Sequence, residues 1–305
     1  MRLQQLICLP RPFPPPVQVF YFNLVLCSMM SHICAFIKQK ALPILPNFQM
    51  SRPIIGITTS FLSKSKQQSL NHEYVIAVER AGGCPLILPM TEEQETLAPL
   101  FALLNGLIIT GGPGITQGLV GKLPKDLPEV APTRYENDIR AFEYAQKKQM
   151  PVLGICYGMQ FINAQFGGTI YADIQIQCNV DPHSPGRTED SVYHAVSLDP
   201  NSHLSSILGE SECTTNSFHL QGLETVGGEL NISARSEDRV IEGIETPDGR
   251  IIGVQFHPEK MPNTVFDCIF EHLLIQADQA SKKKLTENSE YPRDGSCFFV
   301  YCQFE

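Results

Sequence analysis

The chain has 305 residues, of which 43% are hydrophobic and 18% are charged, and this composition supports one sizeable α/β core. Its formal net charge is −9 at pH 7 and it has no run of five or more basic residues, so we expect no nucleic-acid partner. Ten cysteines are scattered without a C-x-x-C pair or zinc-type spacing. This pattern argues against a structural metal site and a secreted disulfide scaffold, and it favours a reduced, cytoplasmic setting.

Residues 1–50 differ in character from the rest of the chain. A proline-rich start is followed by a mostly apolar stretch at 17–37 that polar residues interrupt. This stretch is long enough to span a bilayer, but it has no clear flanking charge asymmetry and no convincing cleavage site. Because Met50 directly precedes the first predicted strand, we interpret 1–50 as a disordered or mis-started extension. A membrane or targeting segment, or a segment that packs on the domain, are the alternatives.

From residue 52 the chain alternates between strands and helices. Apolar runs predict strands at 53–58, 85–88, 106–110 and 152–155, and helical periodicity predicts helices at 71–81, 92–104 and 133–148. Strands then dominate, at 192–198, 230–234, 240–245 and 251–256, before a closing helix at 266–277. The pattern predicts a doubly wound, mostly parallel α/β sheet in a domain at 51–280, with a β-rich C-terminal part and a tail at 281–305.

A strand-to-helix junction with a central cysteine is the most informative stretch. Residues 151–160 read Pro-Val-Leu-Gly-Ile-Cys-Tyr-Gly-Met-Gln, so Gly154 and Gly158 flank Cys156 at the spacing of a nucleophile elbow. In such a turn the nucleophile has a strained backbone, and the glycines avoid collisions with the neighbouring strand and helix. The first N–H groups of the helix favour a thiolate and stabilise an oxyanion. Cys156 is therefore a candidate nucleophile, with a buried structural cysteine as the alternative.

Residues 110–114, Thr-Gly-Gly-Pro-Gly, follow the third predicted strand, at the edge where open α/β sheets bind ligands. The glycines would let the backbone approach a ligand, and one N–H could supply half of an oxyanion hole. A phosphate-binding loop is disfavoured because the Gly-Lys-Ser/Thr ending and the G-x-G-x-x-G spacing are absent. A tight turn without a further role is the remaining alternative.

Residues 253–259, Gly-Val-Gln-Phe-His-Pro-Glu, place a carboxylate two positions after a histidine. If this is the end of a strand, His257 and Glu259 share one face. The carboxylate can accept a hydrogen bond from one ring nitrogen and leave the other free to take a proton from a thiol. A histidine at a strand end is often structural, but its occurrence together with the elbow and the glycine loop favours catalysis.

These motifs resemble, in the same order, those of class I glutamine amidotransferases, over about residues 52–278. Two further stretches, at 163–174 and 216–221, and the opening Pro-Ile-Ile-Gly-Ile-Thr-Thr-Ser are similar to the gamma-glutamyl-gamma-aminobutyrate hydrolase branch, the peptidase C26 group. The resemblance implies a flavodoxin-like fold, a small-molecule γ-glutamyl amide substrate and no metal or organic cofactor. It leaves the oligomeric state open, with a homodimer as one arrangement.

The resemblance also implies a role for each matching residue. It makes Cys156 the nucleophile, His257 the general acid and base, and Glu259 the group that orients His257. It assigns the oxyanion-binding backbone N–H groups to Gly112 and Tyr157. The implied contacts for the glutamate end of the substrate are Gly111, Gln160, Asn216, Ser217, His219 and Gln221.

Four positions depart from residues common in the branch, and we expect all four at the rim of the pocket. They are Tyr157, the stretch 115–118, Leu220 and Arg239. The released amine therefore stays open, and so do three functions. The first is a free-standing γ-glutamyl amide hydrolase, the second a glutaminase subunit that delivers ammonia to a separate synthase, and the third a catalytically silent binding protein.

Overall fold

The computed structural model describes residues 52–125, 127–185 and 192–288. The interpretation of residues 1–50, including the apolar stretch at 17–37, lies outside the described residues, as does that of residues 289–305. Within the described ranges, no helix is long and apolar enough to cross a membrane.

The described residues form fourteen strands and seven α-helices. The strands are β1 (Ile54–Ile57), β2 (Ser60–Leu62), β3 (Gln67–Ser69), β4 (Cys84–Ile87), β5 (Gly106–Ile109), β6 (Leu119–Val120), β7 (Val152–Ile155), β8 (Thr169–Tyr171), β9 (Val192–Leu198), β10 (Glu212–Ser217), β11 (Gly222–Thr225), β12 (Asn231–Ser236), β13 (Ile241–Glu245) and β14 (Ile251–Val254). The helices are α1 (His72–Arg80), α2 (Ala98–Leu103), α3 (Pro132–Lys147), α4 (Tyr157–Gln165), α5 (Ile174–Gln177), α6 (His203–Leu208) and α7 (Asp267–Asn288), with 3₁₀ turns at Gln94–Leu97 and Pro258–Lys260.

Nine strands form the central sheet, in the order β10-β9-β12-β13-β14-β7-β5-β1-β4. Neighbouring strands from β14 to β4 are parallel, and those from β10 to β14 are antiparallel. The predicted α/β class with a β-rich C-terminal part is confirmed. Because parallel strands end at the same edge, the segments that follow β5, β7 and β14 meet there. Those segments are the glycine loop, the elbow and the stretch with His257.

Apolar side chains alternate between the two faces of the parallel strands. On β5, Leu107 and Ile109 belong to one buried cluster and Ile108 to the other. Helices α3 and α4 contribute side chains to the first cluster, and α1 and α7 to the second. Burial of each such side chain contributes about 1.5–3 kcal/mol, so the layers on both faces hold the strand ends in place.

Some elements differ from the sequence prediction. The helix predicted over 92–104 is a 3₁₀ turn followed by α2, because Pro99 lacks an N–H donor and fits only the first turn of a helix. Strand β10 was not predicted, since its sequence Glu-Cys-Thr-Thr-Asn-Ser is polar. The same holds for the hairpin β2–β3 and for the small sheet β11-β8-β6. Helix α7 continues past the predicted end at 277 to Asn288, into the stretch assigned to the tail.

Candidate active site

The backbone at Cys156 has the conformation expected of a nucleophile elbow. Cys156 has φ 54° and ψ −105°, a combination that a residue with a side chain rarely adopts. Two backbone hydrogen bonds hold it there: its N–H donates to the Val254 carbonyl (2.8 Å), and its carbonyl accepts from the Gln160 N–H (3.2 Å). The strain predicted from the sequence is confirmed.

The two flanking glycines are required by close backbone approach. A Cβ atom at Gly158 would lie 2.1 Å from the carbonyl oxygen of Ile109, and one at Gly154 would lie 2.7 Å from the backbone of Gly158. Both separations are far shorter than van der Waals contact, so strand β5, strand β7 and helix α4 can meet only where these side chains are missing.

His257 and Glu259 form a close pair in the turn that follows strand β14. His257 Nδ1 lies 2.7 Å from Glu259 Oε1, and the Glu259 side chain is fully buried. The predicted reason for this contact was wrong, because β14 ends at Val254 and Glu259 lies in a 3₁₀ turn rather than on a strand face. A carboxylate accepts hydrogen bonds, so Nδ1 carries the proton and Nε2 is the nitrogen left for a second partner.

That second partner is the thiol of Cys156, which hydrogen-bonds with the His257 side chain. Burial disfavours the charged imidazolium, but the charges of Glu259 and Cys156 and the hydrogen bonds to both outweigh it. Together they raise the pKa of His257 to about 10. Beside a charged Glu259 and a thiolate at Cys156, His257 is therefore protonated at neutral pH.

The glycine loop after β5 is fixed by Arg134, a fully buried residue of α3 that sequence reasoning missed. Its guanidinium donates to the carbonyl oxygens of Thr110 (2.8 Å) and Gly111 (3.1 Å) and lies 4.2 Å from the centre of the Tyr157 ring. A Cβ atom at Gly112 would lie 2.1 Å from Arg134 Nη1, so only glycine fits. In the sequence, Arg134 is one of several charged residues on an amphipathic helix, and no local signal marks it.

Tyr74 is a second residue whose position the sequence did not reveal. It was assigned to the apolar stripe of helix α1, but its hydroxyl accepts a hydrogen bond from the Gly111 N–H (2.9 Å). Burial, followed by the negative charge of Glu259, raises the pKa of Tyr74 well above its usual value. A cavity of about 170 Å³ opens here, with Tyr74, Gly111, Gly112, His257 and Ser60 of the hairpin β2–β3 in its wall.

Two backbone N–H groups near Cys156 have no protein acceptor. Gly112 follows β5 and Tyr157 begins α4, and among the described residues neither N–H donates to another group. A free N–H at a helix start, beside a second one in a rigid loop, is the arrangement that stabilises a developing oxyanion. The two residues predicted for this role therefore have their donors available.

The predicted substrate-side residues are brought together, but largely through contacts inside the protein. The Asn216 side chain accepts from the His257 N–H (2.8 Å) and donates to the His257 carbonyl (3.0 Å). Gln160 donates to the Gln221 carbonyl (3.1 Å) and to the Gln255 side chain (3.1 Å). These contacts position the catalytic histidine and the base of the elbow, whereas direct contact with substrate stays a prediction.

The remaining members of this set are also engaged. The Ser217 hydroxyl donates to the His183 carbonyl (2.6 Å), and the Gln221 side chain bonds with the backbone of Ile115 at N (2.8 Å) and O (2.9 Å). His219 has one ring nitrogen 2.8 Å from the Gln221 carbonyl and the other 3.5 Å from Glu242. Of the six residues, Gly111 alone lines the cavity described above.

The expectation that all four departures lie at the pocket rim was wrong. Tyr157 and Ile115 are both 0% exposed and belong to the core. Leu220 is half-buried, and Arg239 is exposed in the turn between β12 and β13. Tyr157 packs beneath Arg134, so its ring supports the glycine loop instead of facing a substrate.

The fold and the elbow define the class. A crystal structure from Thermoplasma acidophilum, provisionally described as that of a GMP synthase subunit, matches with a TM-score of 0.53 and 19% identity. The match covers 77% of this chain and 98% of that chain, and it shows the class I glutamine amidotransferase-like fold.

The Peptidase C26 family profile matches residues 53–259, so the chain belongs to the peptidase C26 family. A Schizosaccharomyces pombe protein with the provisional name of a glutamine amidotransferase is 34% identical over 215 residues, which are 69% of this chain and 80% of the relative. The gamma-glutamyl-gamma-aminobutyrate hydrolase of Escherichia coli K12 is 29% identical over 220 residues, 69% of this chain and 87% of that enzyme. Family and relatives support an activity of the glutamine amidotransferase or γ-glutamyl hydrolase type.

Proposed function

We propose that this protein hydrolyses γ-glutamyl amides to glutamate and a free amine, through a γ-glutamyl thioester on Cys156. The observation that carries the proposal is the strained cysteine elbow hydrogen-bonded to a buried histidine–glutamate pair beside a cavity. A thiolate paired with an imidazolium is an activated nucleophile, and acyl transfer is the chemistry that such a pair performs.

In the first half of the reaction, the Cys156 sulfur attacks the γ-carbonyl carbon. The carbonyl oxygen becomes an oxyanion that accepts hydrogen bonds from the N–H groups of Gly112 and Tyr157. As the carbon–nitrogen bond breaks, the protonated Nε2 of His257 gives its proton to the departing amine. The products of this half are a free amine and a γ-glutamyl thioester.

In the second half, water replaces the amine. Neutral His257 takes a proton from the water, whose oxygen attacks the thioester carbon, and the carbon–sulfur bond breaks to release glutamate and the Cys156 thiolate. His257 is protonated again at the end of the cycle, and Glu259 keeps Nε2 facing the reacting atoms in both halves. Tyr74 and Arg134 act as positioning residues, since they hold the loop that contains Gly112.

The amine is the least determined part of the proposal. The name of the Escherichia coli relative points to γ-aminobutyrate as the leaving amine, whereas that of the Schizosaccharomyces pombe relative points to ammonia from glutamine. Both reactions use the same thioester. The difference therefore lies in the walls that contact the amine and not in the thiol chemistry.

The test is a panel of γ-glutamyl amides, including γ-glutamyl-γ-aminobutyrate and glutamine, assayed on the full chain. We expect release of glutamate and amine, lost in Cys156→Ala and kept in the matched control Cys84→Ala, which removes an exposed cysteine at the start of β4. Activity that requires an added synthase partner would identify a glutaminase subunit instead. No turnover, together with a Cys156 that fails to react with a diazo-ketone glutamine analogue, would identify a binding protein.

A further inference from the structure

Three histidines and a glutamate converge in the antiparallel half of the sheet, outside the candidate active site. We call them the histidine cluster: His183 in the segment after α5, His194 on β9, His219 just after β10, and Glu242 on β13. Three of the four are 4% exposed or less, and the His194 side chain is 16% exposed. Nothing in the thiol mechanism uses them.

The inward-facing atoms of the cluster are evenly spaced. Glu242 Oε1 lies 3.4 Å from His183 Nδ1, 3.4 Å from His194 Nε2 and 3.5 Å from His219 Nε2. The Nδ1 atom of His183 and the Nε2 atom of His219 are 3.3 Å apart. A tetrahedral zinc ion with bonds of about 2.0–2.1 Å separates its ligand atoms by about 3.3–3.4 Å. The cluster thus has the dimensions of a tetrahedral coordination sphere.

The outer nitrogens of two histidines fix where their protons lie. His183 Nε2 is 2.9 Å from the Asp238 carboxylate, and His219 Nδ1 is 2.8 Å from the carbonyl oxygen of Gln221. Both partners accept hydrogen bonds, so each outer nitrogen carries a proton and each neutral ring turns a lone pair inward. An outer N–H given to a carboxylate or a carbonyl is the usual arrangement of histidines that bind a metal.

Glu242 shows what is missing from the centre of the cluster. It is 0% exposed, and neither of its carboxylate oxygens accepts a hydrogen bond of good geometry, nor does His194 Nε2 have such a partner. An unsatisfied buried carboxylate that faces nitrogen lone pairs is costly, because acceptors repel one another. A single extra proton would satisfy one or two of these contacts, whereas a cation at the centre satisfies all four.

We propose that His183, His194, His219 and Glu242 bind one divalent transition-metal ion, with zinc as the best match. Three imidazoles and one carboxylate are borderline ligands suited to zinc, and four protein ligands close a tetrahedral site. A closed site has no open position for a substrate, so the ion is structural. The cysteine spacing that argued against a structural metal carries no information about this site, because none of its ligands is a cysteine.

The proposed ion would brace the segment that supports the catalytic histidine. His219 donates its backbone N–H to the His183 carbonyl (3.0 Å), and the Ser217 hydroxyl donates to the same oxygen (2.6 Å). Asn216, one position earlier, holds the backbone of His257 through two hydrogen bonds. A metal ion that joins His183 and His219 to Glu242 would therefore fix the strand end from which His257 is held.

Metal content of the full chain, purified without a histidine tag and without added metal, is the direct test. We expect about one zinc or other divalent transition-metal ion per chain by elemental analysis. His194→Gln removes the most exposed ligand and should lower the bound metal at least about tenfold. The matched control His72→Gln, at an exposed histidine at the start of α1, should retain it.

Thermal unfolding provides a readout that needs neither the variant nor turnover. A chelator should lower the melting temperature of the wild-type chain, and added Zn²⁺ should restore it. This result decides the matter if His194→Gln fails to fold. The proposal is overturned if the wild-type chain is metal-free and Zn²⁺ leaves its melting temperature unchanged, or if folded His194→Gln keeps a full equivalent of metal. Neither outcome bears on the thiol chemistry.

Discussion

The molecule has two buried sites in which a carboxylate contacts a histidine, and they differ in what the other ring nitrogen faces. In the first, Glu259 orients His257 toward a thiol beside a cavity. In the second, Asp238 and Glu242 hold His183 among other acceptors. A histidine aimed at a sulfur can move a proton, whereas histidines aimed at one another and at a carboxylate can only share a cation.

The comparison predicts that the two sites can be disabled separately, and Cys156→Ala should have the largest effect. Turnover of γ-glutamyl amides should fall by at least about 10³-fold, because no other group can form the thioester. Metal content and melting temperature should stay at wild-type values, since Cys156 does not contact the histidine cluster. Full activity in this variant would rule out the proposed mechanism.

Glu259→Gln should be the next largest effect. The amide keeps the size of the side chain but loses the charge that stabilises protonated His257, so kcat should fall by roughly 10²-fold. Steady-state kinetics on the same substrate measure this, and KM should change little because Glu259 does not face the cavity. A rate equal to that of the wild type would show that Glu259 does not orient His257.

Asp238→Asn is the counterpart of Glu259→Gln at the other site. It replaces the carboxylate that contacts His183 Nε2 at 2.9 Å and should weaken metal binding about 10- to 100-fold, as measured by chelator competition. With Zn²⁺ in excess, turnover should match that of the wild type. A loss of turnover with the metal still bound would mean that the two sites are not separate.

The pH dependence of stability should be the smallest of these effects. The pKa of His257 is raised to about 10, above its ordinary value of about 6.5 in an unfolded chain. The ion pair therefore contributes its full stability below about pH 6.5 and loses it as the pH rises through about 10. Urea unfolding of the wild type and His257→Gln should show a difference that narrows over this window. A difference that widens would reverse the sign of the account.

The central fold could be predicted because its signals are local. Strands β1, β5 and β7 are short apolar runs buried on both faces, and the elbow glycines mark a turn that no other residue permits. Strand β10 escaped prediction because its polar side chains serve contacts such as those of Asn216 with His257. Its role is visible only once the neighbouring strand is in place.

The site divides in the same way. Cys156, His257 and Glu259 lie in motifs of a few residues, so the sequence reveals them. Arg134 and Tyr74 act from helices far along the chain, and a buried arginine on a helix resembles any surface arginine until the fold closes over it. The histidine cluster draws its ligands from four separate segments with no short spacing between them, so no ligand pattern could be found.

The central claim is that Cys156 becomes covalently acylated during turnover. Acid quenching of the full chain during hydrolysis of γ-glutamyl-γ-aminobutyrate, followed by peptide mass spectrometry, tests it directly. We predict a γ-glutamyl adduct on Cys156 and none on Cys213, whose thiol pKa is raised to about 11 by burial and by the nearby charges of Glu210 and Glu212. Turnover with an unmodified Cys156, or with the adduct on another residue, would contradict the account.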